Sequence, residues 1–423
     1  MPNNSLIIIN AILISFIPFF LITGPFLSDL SICFIALSGL YVIFKDKKYI
    51  YLNNIYVKIF FSWCLYLLFT SIISDNIIHS FESSLFYFRF GLFAISVWIF
   101  LDIKPKILIY LKLSFIFCFI ILFFDSIYQF VNSYNIIGIP ASSISTTRIS
   151  SFFADELILG SYISRLLPIF LCLVFIKVNK TSILIGLIAL VISDIIVYLS
   201  GERTAFFYII ISSIMMIIIC NNIKLYRILA IFFSIILIFI LSLNSNSLSN
   251  RMFLQTYNQI INQDIQNEEI NISTNKIKIF SGKHEALYKS SIKMFQKNIF
   301  FGIGPKSFRI KCNSKDYKVS NGCSTHPHNI YFQLLAETGI IGFLFVFSVF
   351  LFIVLLLFKQ FIRNFKKQHF LTDPQLFLLI AIFLSLFPLV PGPNFFHNWM
   401  NIIYYFPLGI LLHLTYKKKI IND

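Results

Sequence analysis

The chain has little charge: only 12% of its 423 residues are Asp, Glu, Lys or Arg. A soluble domain carries roughly twice that share, so a water-soluble fold is excluded. Self-similarity at a period of roughly 20–50 residues is missing, which argues against a solenoid. The N-terminus has no basic stretch ahead of its first apolar run, so no signal peptide is expected, and residues 6–26 are long enough to stay as a span. A Gly-x4-Gly-Lys-Ser/Thr loop is absent; "GIGPKSF" (302–308) reads as a turn and not as a nucleotide site. Histidine is scarce, and around the closest pair, His326 and His328, no cysteine or acid stands at a recognised metal-ligand spacing. No metal, no cofactor and no nucleic acid is expected.

What the chain has instead is apolar length. Hydrophobic residues make up 58% and aromatics 18%, and stretches of about 17–25 apolar residues recur, each able to cross a bilayer. The expected fold is an all-α polytopic membrane protein. Its spans are 6–26, 28–44, 55–74, 85–101, 107–131, 157–176, 182–199, 204–220, 225–243, 328–358, 371–391 and 398–416, about twelve transmembrane helices in all. Only 244–327 lacks a span, and it reads as one large outer loop containing short amphipathic helices. The chain thus divides into helices one to nine (1–243), the outer loop (244–327), and helices ten to twelve with a tail (328–423).

Lys and Arg set the orientation. With the N-terminus inside, "KDKK" (45–48), "KPK" (104–106), "KVNK" (177–180), "KLYR" (224–227), "KQFIRNFKK" (359–367) and "KKK" (417–419) all lie inside; with Lys58 and Lys112 these hold 18 of the 34 basic residues. Both termini are then cytoplasmic. The outer loop holds 12 more, and long loops are largely exempt from the rule. The other four, Arg89, Arg148, Arg165 and Arg203, sit at or near outer ends of spans. Asp125, Asp194 and Glu337 also fall in outer halves. Ionisable groups in a membrane face a cavity or pair with one another. The one-sided set suggests a cavity open to the outer face, against the plainer alternative of structural ion pairs such as Arg165 with Asp194. Arginine's planar fork suits phosphate, which suggests a lipid-linked phosphate or diphosphate.

"CSTHPHNIYFQLLAETGIIG" (323–342) carries the sharpest signal. Pro327 suits the first turn of a helix, with Thr325 or His326 as N-cap and His328 in that turn. The helix dipole would keep His328 neutral and able to accept a proton, and free N–H groups there would attract an anion. The plainer reading is a polar cap on a buried helix. Glu337 is nine residues on, on another face, and is expected to pair with an arginine or a backbone donor. Five cysteines lie in spans; Cys312 and Cys323 stand in the outer loop and are expected to form a disulfide. Residues 244–278 read as a solvated loop containing the acidic "DIQNEE" (264–269). In 281–308, Leu287, Ile292 and Phe295 predict an amphipathic helix on the membrane surface.

These features resemble the O-antigen ligase and O-antigen polymerase superfamily of outer-face glycosyltransferases, from about residue 85 to 415. His328-Asn329, nine residues, then Gly339-Ile340 fits the ligase pattern. "SGERTAFF" (200–207) resembles the family's turn with an arginine opening a span, and "MFQKNIFFGIGPKSF" (294–308) its segment before the histidine. "RISSFFADELILGSYISRLLP" (148–168) and "PGPNFFHNW" (391–399) are weaker likenesses. The resemblance implies a bacterial inner-membrane enzyme with a periplasmic active site, using an undecaprenyl-diphosphate-linked glycan as donor without a metal. His328 would deprotonate an acceptor hydroxyl and Arg203 would bind the diphosphate, with His326, Asn329 and Glu337 in support. The family often has a second arginine where "SGKHEALY" offers Lys283 and His284; Arg148 or Arg251 could compensate. The acceptor would be lipid A core for a ligase or another lipid-linked repeat for a polymerase. A transporter of lipid-linked sugars is the rival class, expected to show mid-membrane polar sites and paired broken helices.

Overall fold

The structure is a computed structural model and describes residues 4–141, 148–243, 246–261, 280–366, 368 and 370–420. Apart from one isolated bridge between Tyr134 and Pro140, all regular structure among these residues is helical. Eight helices are long and apolar enough to cross a membrane: Asn4–Thr23, Pro25–Lys45, Ile55–Ile72, Ile77–Ile103, Ile107–Asn132, Lys180–Leu199, Lys224–Leu243 and Ile330–Phe365. The other four predicted spans contain Leu159–Phe175, Arg203–Ile219, Asp373–Ser385 and Asn398–Ile420. Among the described residues, eight of the twelve predicted spans thus hold a helix of that length and composition.

Local chemistry sets many of the boundaries. The first helix stops where Gly24 takes φ +116°, and Pro25 opens the next, its missing N–H costing nothing there. Asn179 and Ser182 cap each other's backbone, as do Thr372 and Gln375. The helix Leu159–Phe175 is buried along nearly its whole length. It packs against Lys180–Leu199 and Asp373–Ser385. By contrast Lys224–Leu243 turns Phe232, Ile235, Phe239 and Leu243 outward. In water each would forgo about 1.5–3 kcal/mol of burial, so this perimeter suits hydrocarbon.

The buried acids act as fasteners. Asp194 takes both forks of the Arg227 guanidinium at 2.8 and 2.9 Å and accepts from Ser234 at 2.7 Å. The pair Arg165–Asp194 is therefore replaced by one with Arg227, which lies in the basic run "KLYR". Arg165 instead lies over the Tyr208 ring, 4.7 Å from its centroid. Asp125 accepts from the Ile136 N–H and the Ser151 hydroxyl, and so ties down a loop. Neither acid lines a cavity with the arginines.

Part of the outer loop is helical: Asn246–Ser249 and Gln255–Ile261 flank a π-helical turn, Asn250–Leu254, where the sequence reads as loop. Residues 262–279, with "DIQNEE", lie outside the described residues. The amphipathic helix exists as Gly282–Lys297, but its buried face is Leu287, Tyr288, Ser291 and Met294, while Ile292 is exposed. The reason is a protein partner, not lipid: Tyr288 stacks on Phe332, centroids 4.2 Å apart.

Candidate active site

The helix Ile330–Phe365 is broken at Gly339, which has φ +64° and ψ −168°. Residues 330–338 form a separate short helix of about two and a half turns. Asn329 is its N-cap, accepting from the N–H groups of Tyr331 at 2.9 Å and Phe332 at 3.3 Å, while its amide donates to the Pro388 carbonyl at 2.7 Å. This corrects the expected cap. Pro327 and His328 precede the helix, and His328 has φ +58°. A non-glycine residue held there costs of order 1–3 kcal/mol. It is pinned by the Gly392 N–H, which donates to the His328 carbonyl at 2.8 Å.

The break explains the spacing from histidine to glycine. Carbonyls freed at the end of the short helix are taken by the "GIGPKSF" turn: Ile303 N–H donates to Ala336 and Gly304 N–H to Glu337, both at 2.9 Å. The Tyr66 hydroxyl donates to Thr338 at 2.6 Å. A side chain at Gly339 would stand 2.3 Å from the Phe300 carbonyl oxygen, so this backbone approach requires glycine. Glu337 accepts from the Phe308 N–H at 3.0 Å and from Gln333 at 2.9 Å. Gln333 also donates to Asn394 and accepts from the Phe395 N–H, both at 2.9 Å. The short helix, the turn and the 391–399 loop are thus one hydrogen-bonded unit.

Three histidines meet at its mouth. The His328 ring lies 4.1 Å from that of His326 and 5.9 Å from that of His284, centroid to centroid. His326 Nε2 faces the Gly392 carbonyl at 3.3 Å and its Nδ1 faces the Thr325 hydroxyl at 3.1 Å. One donor and one acceptor nitrogen satisfy both, which is the neutral ring. Burial and the charge His328 would carry push His326 down to about 3. Burial also lowers His328, whose Nε2 is 3.4 Å from the Ser324 hydroxyl. His284 is lowered by burial, then by His328 and Arg203, and its Nδ1 meets the Ser281 hydroxyl at 2.7 Å. All three are neutral at neutral pH, so His328 can accept a proton.

Cations gather next to them, on the turn 200–203. Gly201 has φ +62°, and Arg148 donates to the Ser200 carbonyl at 3.3 Å while Arg251 donates to that of Gly201 at 3.1 Å. Arg203 opens the helix Arg203–Ile219 and, with Arg251, is close enough to repel the Arg148 charge, though burial depresses Arg148 more. A cation at a helix N-terminus opposes the dipole. The nearby carboxylate is already engaged. Glu202 accepts from Gly160 N–H at 2.7 Å and from Ser161 N–H and hydroxyl at 3.2 and 2.8 Å, capping another helix, and stands 3.9 Å from Arg148.

Of the residues singled out in sequence, His328, His326, His284, Arg203, Arg148 and Arg251 come together, with Asn329 and Glu337 beneath them. Lys283 is exposed and has no hydrogen bond or ion pair among the described residues. Arg89 lies elsewhere, bound to Asp29 at 2.9 Å. Cys312 and Cys323 form a disulfide, Cα atoms 5.1 Å apart. Sequence reasoning met Ser281, Tyr288, Ser324 and Gly392 only inside the stretches "SGKHEALY", "CSTHPHNIYFQLLAETGIIG" and "PGPNFFHNW", without singling them out. Among the described residues no three His, Cys, Asp or Glu side chains are placed to hold a metal ion.

A many-helix bundle with apolar outer faces marks a multi-pass membrane protein. The family model described as O-antigen ligase matches residues 186–347, which span the Arg203 turn, the His328 cap and the Gly339 break. The match makes this stretch similar to the O-antigen ligase family and supports the resemblance read from the sequence. No curated protein matches the chain.

Proposed function

We propose that the protein transfers a glycan from undecaprenyl diphosphate to a sugar hydroxyl of lipid A core at the periplasmic face of the bacterial inner membrane. The observation that carries this reading is the histidine cluster of His328, His326 and His284, with Arg203, Arg148 and Arg251 gathered on the adjoining turn. His328 takes the proton of the acceptor hydroxyl as that oxygen attacks the anomeric carbon. The carbon–oxygen bond to the diphosphate breaks, and Arg203, with Arg148, Arg251 and His284, steadies the negative charge growing on the leaving group. Attack from the face opposite the leaving group inverts the anomeric configuration. Asn329 and the Gly392 contact position the histidine and take no part in the bond changes.

The test is a glycan gel from cells lacking the gene and complemented with wild type or His328→Asn at equal expression. Asparagine tolerates the left-handed backbone, so the variant removes the base without forcing the loop. Unattached lipid-linked polymer in the variant supports ligation. Attachment of single repeats only would mark the joining of lipid-linked repeats, the polymerase reaction, and a wild-type ladder would remove His328 from the mechanism.

A further inference from the structure

A second basic surface adjoins the histidines through Ser324 and Thr325. A concave patch of about 560 Å³ is lined by Arg309, Asn313, Lys318, Asn321, Ser324 and Thr325 among others, with no acid in its wall. Two residues of its wall touch the histidines: the Ser324 hydroxyl is 3.4 Å from His328 Nε2 and the Thr325 hydroxyl 3.1 Å from His326 Nδ1. Hydroxyl and amide groups in an open cleft suit a sugar better than an apolar ligand, which would ask for an apolar wall.

The cleft is a built feature. Cys323, in its wall, is bonded to Cys312. Lys293 donates to the Lys318 carbonyl at 2.9 Å, and the Gly322 N–H donates to Val319 at 2.9 Å. Asn321 takes φ +57°, and a side chain at Gly322 would meet the Ala286 carbonyl oxygen at 2.8 Å. The loop is therefore anchored to the helix Gly282–Lys297, which also carries His284.

Its two cations stand outside the local ion pairs. Nearby Lys297 and Lys311 are paired with Asp316 at 3.0 Å and Asp75 at 2.8 Å. Arg309 and Lys318 have no ion pair among the described residues, and Arg309 is exposed. A planar guanidinium presented this way matches a phosphate. We infer that this cleft is the acceptor subsite, and that it takes a phosphorylated glycan whose charge is held by Arg309 and Lys318 while its hydroxyl lies at His328. The field of Arg309 also reaches His326, where it adds to burial in keeping that ring neutral. The inference rests on the transferase reading above: donor diphosphate on the Arg203 side, acceptor on the Arg309 side, base between.

The experiment is a titration of the purified full-length protein in detergent with a synthetic phosphorylated oligosaccharide and its dephosphorylated twin. Wild type should bind the phosphorylated form at least tenfold more tightly. Arg309→Gln/Lys318→Gln should erase that preference with an unchanged melting curve, and His328→Asn should keep it. Equal binding of the two sugars by wild type, or a preference that survives the double variant, would overturn the inference. Two further probes separate the sources of phosphate: a phosphorylated core-type glycan and a short-chain prenyl-diphosphate sugar. Arg309-dependence for the first gives a ligase-type acceptor and for the second a lipid-linked repeat; dependence for neither counts against the site. Failure of the transferase reading would appear elsewhere, as turnover unaffected by His328→Asn while the binding preference persists.

Discussion

Two groups of buried or half-buried arginine in this protein differ in how many cations they bring together. Arg227 has a carboxylate of its own: Asp194 meets its fork twice, and Ser213 and Ser234 complete the network. Arg148, Arg203 and Arg251 crowd around a turn whose single acid, Glu202, caps the helix Leu159–Phe175. A closed ion pair fastens helices together, whereas a group with surplus positive charge raises the energy of the empty protein and lowers that of an anion complex. The first arrangement is structural, and the second is the one we propose for a diphosphate. At the far end of the last helix, His413 contacts Asp102, which also accepts from Tyr51 at 2.9 Å, so that histidine too is committed. His328 has no such carboxylate.

The contrast can be broken in order of expected effect. His328→Asn should lower turnover by about 10²–10⁴-fold, the range for losing a general base, with an unchanged thermal melt. In wild type the acid limb of the rate profile should lie below pH 6.5: burial lowers the pKa of His328, the neutral form is the base, and activity falls only as pH drops through that lowered value. A limb above 6.5 would speak against His328. Arg227→Met should cost about 3–5 kcal/mol in detergent unfolding by stranding Asp194, and Arg227→Met/Asp194→Leu should recover most of it. Arg203→Gln should leave the melt nearly unmoved and abolish transfer, the opposite signature.

Smaller effects test the scaffold. Gly339→Ala must combine a positive φ with a 2.3 Å approach to the Phe300 oxygen, and should destabilise by at least about 1–3 kcal/mol. Asn329→Ala should cost about 1 kcal/mol of cap and loosen His328, whereas Asn329→Asp, which still caps, should recover part of it. Comparing transfer rates with melting curves in these two variants separates positioning from stability.

The same contrast marks what could be read from sequence. Apolar length located every helix in the predicted spans because that signal is local. His328, Arg203 and the Gly339 spacing were legible through resemblance, and the structure supplies the reason: Asn329 starts and Gly339 ends one short helix. The cap was misplaced because Pro327 looks like a first-turn residue, and only the contacts of Asn329 with Tyr331 and Pro388 decide otherwise. The partner of Asp194 was missed because Arg227 sits in a run of basic residues that orientation alone explains. Arg309 was one basic residue among many in a long loop, and the Cys312–Cys323 closure gives it a place.

The central claim is that the Arg203 group holds its charge for a diphosphate. The direct measurement is titration of the purified protein with a short-chain prenyl diphosphate, comparing wild type, Arg203→Gln and Arg89→Gln, the last removing an arginine already paired with Asp29. The account predicts tenfold or greater weakening for Arg203→Gln and wild-type binding for Arg89→Gln. Binding by Arg203→Gln as tight as wild type would contradict it.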